Sequence, residues 1–428
     1  MPAYVDTYYK RRLTSDAPRP ELRGAQTADA CIIGGGLAGL TAALELARRG
    51  RDVVVLEAQR VAWGASGRNG GFVSPGYSAA LNVIERAVGP DDARSLMRLS
   101  IEGVDIVSQN ISTLGIAEAR SVKGLLKTIR YHDPARLKAQ QELMERDFGY
   151  RLEFRSREEV RQVLLSPKYH QALYDPSSFH FDPLSYARAL ADEIERLGGR
   201  IFEGSAVVEV DLDGPGKVAR TAGGSVEAKD LLFACGGYTG RVLPKLARSY
   251  IPIATYVLLT EPAKDRIAEA IRTTAGIGDG RRAGDYYRVV DGGERILWGG
   301  KITTRTAEPR RLAELLHRTM VSTYPQLKNV KVETAWSGLM SYARHLMPQI
   351  GQLRPGVWYC MAFGGHGMNT TAIGGRVIAE AITGEDDRYR RFAPFGLAWN
   401  GGPFGIAAVQ LTYWKYQMMD FLRERKAA

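Results

Sequence analysis

Apolar and polar positions along the chain change period several times, and each change marks an element. Residues 30–33 (Ala-Cys-Ile-Ile) form a short continuous apolar run, read as a buried parallel strand. Residues 40–49 are rich in Ala, Leu and Glu and read as a helix stopped by Gly50; residues 53–56 form a second apolar strand. Apolar spacing of i, i+3, i+4 predicts helices over 81–88, 93–114 and 134–147, with a strand over 124–131 between them. A helix is expected over 184–197, opened by Asp182-Pro183, then a strand, turn and strand over 200–210. A hairpin within 219–237 leads into the buried run 231–235, which ends in Gly236-Gly237. Strand-like runs at 253–260, 286–290 and 295–300 predict an antiparallel sheet, and 357–362 a further strand before a helix over 372–382.

The first of these units carries chemistry. Gly34, Gly36 and Gly39 have G-x-G-x-x-G spacing between strand and helix, and Glu57 stands at the end of the next strand. Gly34 allows the tight turn, Gly36 lets backbone approach a pyrophosphate, and Gly39 lets the helix pack on the strand. The helix start, with Leu37 and Ala38, offers free N–H groups and a positive dipole end. Glu57 suits ribose hydroxyls and repels a 2′-phosphate. A dinucleotide is the implied ligand, NADP being disfavoured.

The continuation favours FAD. Glu57-Ala58 is followed by Arg60 and by the run Gly64-Ala65-Ser66-Gly67-Arg68-Asn69-Gly70-Gly71, a second glycine-rich loop that suits a longer, extended dinucleotide. With this run the chain resembles the FAD-dependent amine and amino-acid oxidoreductases of the D-amino-acid-oxidase (DAO) type, and most nearly their γ-glutamylputrescine oxidase-like branch. The resemblance covers about residues 28–384. It implies an α/β architecture: a Rossmann-like FAD-binding domain (28–110, 184–245 and 345–385) interleaved with an antiparallel-sheet α+β substrate domain (111–183 and 246–344), between an N-terminal arm (1–27) and a C-terminal amphipathic tail (386–428). It also implies that Val207 lies at the adenine side and that Ala234 and Gly236 lie near the cofactor. The resemblance further implies that Gly364, Gly365, Gly367 and Met368, in the loop before the helix over 372–382, aim N–H groups at the flavin C2 carbonyl, where negative charge builds on reduction.

Candidate catalytic residues follow from position. His366 lies in that loop, Arg344 beside the Met347-Pro348 step, Lys301 after Gly299-Gly300, and Tyr256 and Tyr287 on the strands of the substrate sheet, with Tyr286 and Trp298. The position at which amino-acid oxidases of the family hold the substrate carboxylate with an arginine falls near Met340. An amine is therefore favoured over a free α-amino acid, with Arg344, Arg288 or Lys301 left to receive a remote carboxylate. The implied reaction removes a hydride equivalent from the carbon beside the amine to flavin N5, giving an imine that hydrolyses; oxygen or another acceptor takes the electrons. The alternatives are an oxidase or dehydrogenase of an N-substituted or cyclic amino acid (sarcosine-like, pipecolate-like), and a non-catalytic flavoprotein. Some relatives attach FAD through Cys or His; the first loop offers neither, nor does the Met340–Tyr342 neighbourhood, so FAD is expected to be non-covalent.

Composition adds little against this. The 428 residues carry a net charge of +11, with 45% hydrophobic and 25% charged residues, as in an ordinary globular protein. No RNA-binding pattern accompanies the charge, so nucleic acid is not an expected partner. Cys31, Cys235 and Cys360 sit in apolar strand contexts and read as core thiols of a cytoplasmic protein, with no spacing for a metal. The segment 404–422 reads as an amphipathic helix, open to docking on its own protein, to a homodimer, or to contact with a membrane surface.

Overall fold

The structure is a computed structural model; it describes residues 3–240, 242–281, 284–304, 306 and 308–427. Among these residues the strands form two sheets, one of eight strands and one of nine. The first is built on five parallel strands in the order Val357–Met361, Gly224–Phe233, Gly24–Ile33, Val53–Leu56, Arg200–Phe202. Buried on both faces, these strands need no alternation, which is why Val53–Leu56 is apolar throughout. Helices Leu37–Arg48, Pro183–Arg196 and Gly367–Thr383 pack side by side on one face, and Pro90–Thr113 lies across the last of them. Gln349–Arg354 closes one edge antiparallel.

The first strand is longer than its apolar run predicts. It begins at Gly24, because residues 24–28 pair in parallel with 224–228 while their side chains stay partly exposed. Helix Leu37–Arg48 likewise starts three residues early, inside the glycine turn. Helix 81–88 is found as predicted (Leu81–Val88), and the other predicted helices shift by one to a few residues, 93–114 becoming Pro90–Thr113.

The second sheet runs Val332–Ala343, Tyr250–Thr260, Arg295–Thr303, Tyr286–Val290, Gly276–Asp279, Val122–Thr128, Ala172–His180, Phe72–Val73. All neighbours are antiparallel except Gly276–Asp279 with Val122–Thr128. Its two faces differ. One carries Tyr256, Leu258, Tyr287 and Trp298, closed off by helix Leu312–Thr323. The other carries Val257, Leu259, Leu297 and Trp336 and packs into the core of the first sheet.

The N-terminal arm is not a surface strap. Tyr9 is fully buried, donates to the Asn69 carbonyl (2.7 Å) and receives a bond from Arg288 (3.1 Å). Arg60 and Glu203 fix the arm's other end. Glu203, fully buried, accepts from Arg60 Nε (2.7 Å) and from the amides of Val61 (2.8 Å) and Arg19 (2.9 Å). Removing one partner leaves a buried charge unmatched, so Glu203→Ala should cost about 3–5 kcal/mol of stability, with Glu203→Gln milder; thermal unfolding measures both. An Ala variant as stable as the parent would refute this reading of the pair.

Candidate functional site

The glycine turn between the first strand and helix is shaped by contacts that leave no room for side chains. A Cβ at Gly39 would overlap the Gly34 carbonyl oxygen, and one at Gly34 (φ +113°) would lie 2.8 Å from the Ala234 oxygen. Ala234 is held there by its amide on the Ile33 carbonyl (2.8 Å), and Gly236 turns the chain away in the left-handed region. The helix N-cap is Gly36, with no side-chain cap; Ser66 reaches in to accept from the Leu37 amide (3.0 Å). The Ala38 and Gly39 end of the helix thus presents backbone N–H groups beside the second glycine loop.

That loop is ordered from within. Asn69 donates to the Ala65 and Ser66 carbonyls (2.9 and 3.0 Å) and accepts from Gly71 N–H (2.7 Å). Arg68 lies over the Trp63 ring and donates to the Trp63 carbonyl, while its buried Nη2 has no protein partner. A Cβ at Gly64 would lie 2.9 Å from the Tyr238 ring, so the ring's approach needs a glycine there. Glu57 lies at the far end. It accepts from the amides of Gly35 (2.7 Å) and Gln59 (2.8 Å), next to Ala58, and its own carbonyl receives Ser205 N–H, two residues before Val207. Open N–H groups in the first helix turn and an unmatched guanidinium nitrogen give donors for phosphate, and a desolvated acid gives an acceptor for ribose, a set that fits a phosphate-and-ribose ligand of FAD size. Arg60 is the exception among the expected cofactor residues: its guanidinium is committed to Glu203, to the Asp16 and Ala17 carbonyls and to the Tyr4 ring.

The second sheet faces this cradle with alternate residues. A Cβ at Gly299 would run into the Tyr286 ring, and Tyr286 packs edge-on against Phe72 (5.6 Å), so Tyr286 fronts the cleft. Leu125 shares that face through Phe72 and Gly276, and strand alternation puts Lys127 there also. Met340 and Tyr342 follow Trp336 and Gly338 on the same side. Across the cleft, Gly364 and Gly365 pass close to Tyr342 and Ser78, with Gly365 N–H donating to Ser78 Oγ (2.9 Å). His366 stacks at 3.4 Å from where a Gly76 side chain would begin. Gly367 and the buried Met368 then open the helix, which Asn369 ties to Gly76 and Ser100.

Of the five catalytic candidates, His366 alone reaches the cleft. Tyr287 and Tyr256 lie on the opposite face of the sheet. Tyr287 stacks on Trp298 (4.0 Å between centroids), and its hydroxyl bonds to Tyr169 and Tyr324. Alternation decides this, since neighbours on a strand point to opposite faces. Lys301 is the extra residue of a bulge between the partners of Thr255 and Tyr256, at φ +54°, and its charge acts on Asp285 rather than in the cleft. Arg344 is exposed at the end of its strand. Arg288 is buried among His180 Nδ1 (2.8 Å), the Phe181 carbonyl (2.9 Å) and Tyr9. Lys127 and Ser78 were missed by sequence reasoning. The signal for Lys127 was present, as a cation inside an apolar strand.

Electrostatics sort the cleft residues. Burial, with the Lys127 charge adding to it, pulls His366 down to about 4, so it is neutral at physiological pH. Burial pushes Tyr286 and Tyr342 up to about 12. Desolvation lowers Lys127, opposed by Asp175. Burial pushes the Glu57 carboxyl up to about 7, against the backbone donors on it. Ribose hydroxyls donate to a carboxylate, so FAD binding favours the ionised form. Below pH 7 binding must first release a proton. FAD affinity should therefore weaken as pH falls through about 7, approaching tenfold per unit, and Glu57→Gln should flatten the profile while binding more weakly at pH 8. Titration of the apoprotein with FAD checks this; an unchanged profile in the variant would remove Glu57 from the ribose.

Comparisons with known proteins agree with this geometry. The model of the family described as DAO, FAD dependent oxidoreductase, matches residues 29–381. Gamma-glutamylputrescine oxidoreductase of Escherichia coli K12 is 36% identical over 92% of both chains. A probable oxidoreductase OrdL of Haemophilus influenzae is 32% identical over 91% of this chain and 90% of its own. Among solved structures, glycine oxidase from Geobacillus kaustophilus superposes with a TM-score of 0.73 at 20% identity, covering 87% of this chain and 99% of that one. The cradle, the two-sheet architecture and these likenesses together establish that the chain belongs to the DAO family and is an FAD-dependent oxidoreductase of amines or amino acids.

Proposed function

We propose that the protein oxidises the C–N bond of a γ-glutamylputrescine-like or other primary or secondary amine. The observation that carries this reading is the cleft wall: it presents Tyr286, Met340 and Tyr342, with no arginine at Met340 to grip an α-carboxylate beside the reacting carbon. The likeness to gamma-glutamylputrescine oxidoreductase supports it. FAD, held by the cradle, supplies the two-electron acceptor for the hydride leaving the carbon beside nitrogen.

The chain's own residues orient the amine. Two neutral phenols and a neutral imidazole line the cleft, none of them a strong base at neutral pH. Beside these groups stands the Lys127 cation, whose charge also acts on His366. The same cation attracts a carboxylate carried at the remote end of the substrate. The sheet face and the Gly364–His366 turn close over the amine and exclude water until the imine is released and hydrolyses.

Anaerobic addition of γ-glutamylputrescine should bleach the yellow flavin absorption, and admitting air then shows whether oxygen is the acceptor. Bleaching only by N-alkyl or cyclic amino acids would replace this reading with the sarcosine-like or pipecolate-like one. Lys127→Met should raise KM about 10–100-fold for amines bearing a carboxylate and leave putrescine itself little changed. Equal losses on both would take Lys127 out of substrate recognition.

A further inference from the structure

The last helix, Gly402–Ala427, docks by its polar side. Ile302 N–H donates to Tyr413 Oη (3.2 Å) and Thr304 N–H to Gln410 Oε1 (3.3 Å). Glu424 pairs with Arg281 (3.4 Å) and Arg130 (3.8 Å), and Asp420 is buried. Over its whole length the helix barely separates apolar from polar residues, so the amphipathic expectation does not hold; what it has is a stripe of large apolar side chains facing outward.

That stripe is Phe404, Leu411, Trp414, Met418, Phe421 and Leu422, each half or more exposed and Phe404 85% exposed. At about 100° per residue the six fall within an arc of about 100°. Exposed Lys415 and Lys426 stand at one margin of it and Arg425 within it, beside the Phe421 ring; Arg423 lies over the Tyr131 ring of the body, and the helix's two acids, Asp420 and Glu424, are turned inward. The outward surface thus mixes large apolar side chains with cations and carries no acid of this helix. Among the described residues no helix is long and apolar enough to cross a membrane.

We propose that this helix is a membrane-docking surface. It lies flat on a bilayer containing anionic lipid, with Trp414 and Phe421 at the headgroup–acyl boundary and Lys415, Arg425 and Lys426 against lipid phosphates. Charge decides the occupant. A second copy of the stripe would offer its cations no acid, since Asp420 and Glu424 face inward, whereas an anionic surface neutralises them. The net charge of +11 acts in the same direction.

Flotation of the full-length holoprotein with vesicles of phosphatidylcholine alone, and of phosphatidylcholine with phosphatidylglycerol, tests the proposal, with flavin absorbance reporting the folded state. Binding to the mixed vesicles is expected, weakening with salt. Trp414→Ser with Phe421→Ser should reduce it about tenfold or more, as should Lys415→Glu with Arg425→Glu and Lys426→Glu, both leaving the flavin spectrum intact. Absence of binding, or binding that both variants retain, overturns the proposal. So does self-association that the Trp414/Phe421 variant abolishes without any vesicle binding, which would give the stripe to a second copy.

Discussion

Backbone meeting backbone at Gly34 and Gly39 is the constraint on which the rest of the structure depends. The helix that follows can begin only if its first turn lies against the Gly34 carbonyl, and the strand ending at Phe233 can deliver Ala234 only if Gly34 carries no side chain. These approaches bring the helix N-terminus, the Ala234–Gly236 step and the Glu57 strand end to one point. A methyl group at Gly34 would push apart elements that lie 200 residues apart in sequence, and one at Gly39 would lift the helix off the turn and strand just before it. Helix propensity and burial then elaborate an arrangement that hydrogen-only side chains permit.

The second sheet does its part through parity. Tyr286 and Tyr287 are adjacent and chemically alike, yet one fronts the cleft and the other stacks on Trp298 in the core. A strand offers each residue one face, so two like neighbours cannot both serve the site. The bulge at Lys301 illustrates the same rule broken once: an extra residue carries its amine out of the alternation and toward Asp285. The cleft is consequently lined by side chains with little acid–base strength near pH 7, which suits a reaction whose electrons go to a cofactor.

These contrasts explain what could be read from sequence. The cradle was legible because its determinants are local: glycine spacing, one acid, and a hydroxyl-bearing loop lie within about 40 residues. Elements with strong periodicity were legible for the same reason. The cleft wall was not, because facing depends on registers between strands far apart in sequence, and a lone tyrosine carries no mark of its face. Arg60 looked like a nucleotide ligand from its place after Glu57; its partner Glu203 lies 143 residues on. The tail's helix was visible, but the amphipathic pattern read into it is weak over its length, and the side turned inward depended on ion pairs to Arg130 and Arg281.

The N-terminal arm has a consequence for the order of assembly. Tyr8 and Arg12 bond to Asp291, Tyr9 to Arg288, and Arg11 to Glu333. These arm residues therefore wait for partners made some 280 to 320 residues later. Until then the arm has only its nearer contacts, such as Tyr9 on the Asn69 carbonyl, and Tyr9 cannot seal the seam between the two sheets. The arm acts as a latch with an early and a late catch, so the two sheets gain a common lock only when the strands that carry Arg288 and Glu333 have been synthesised.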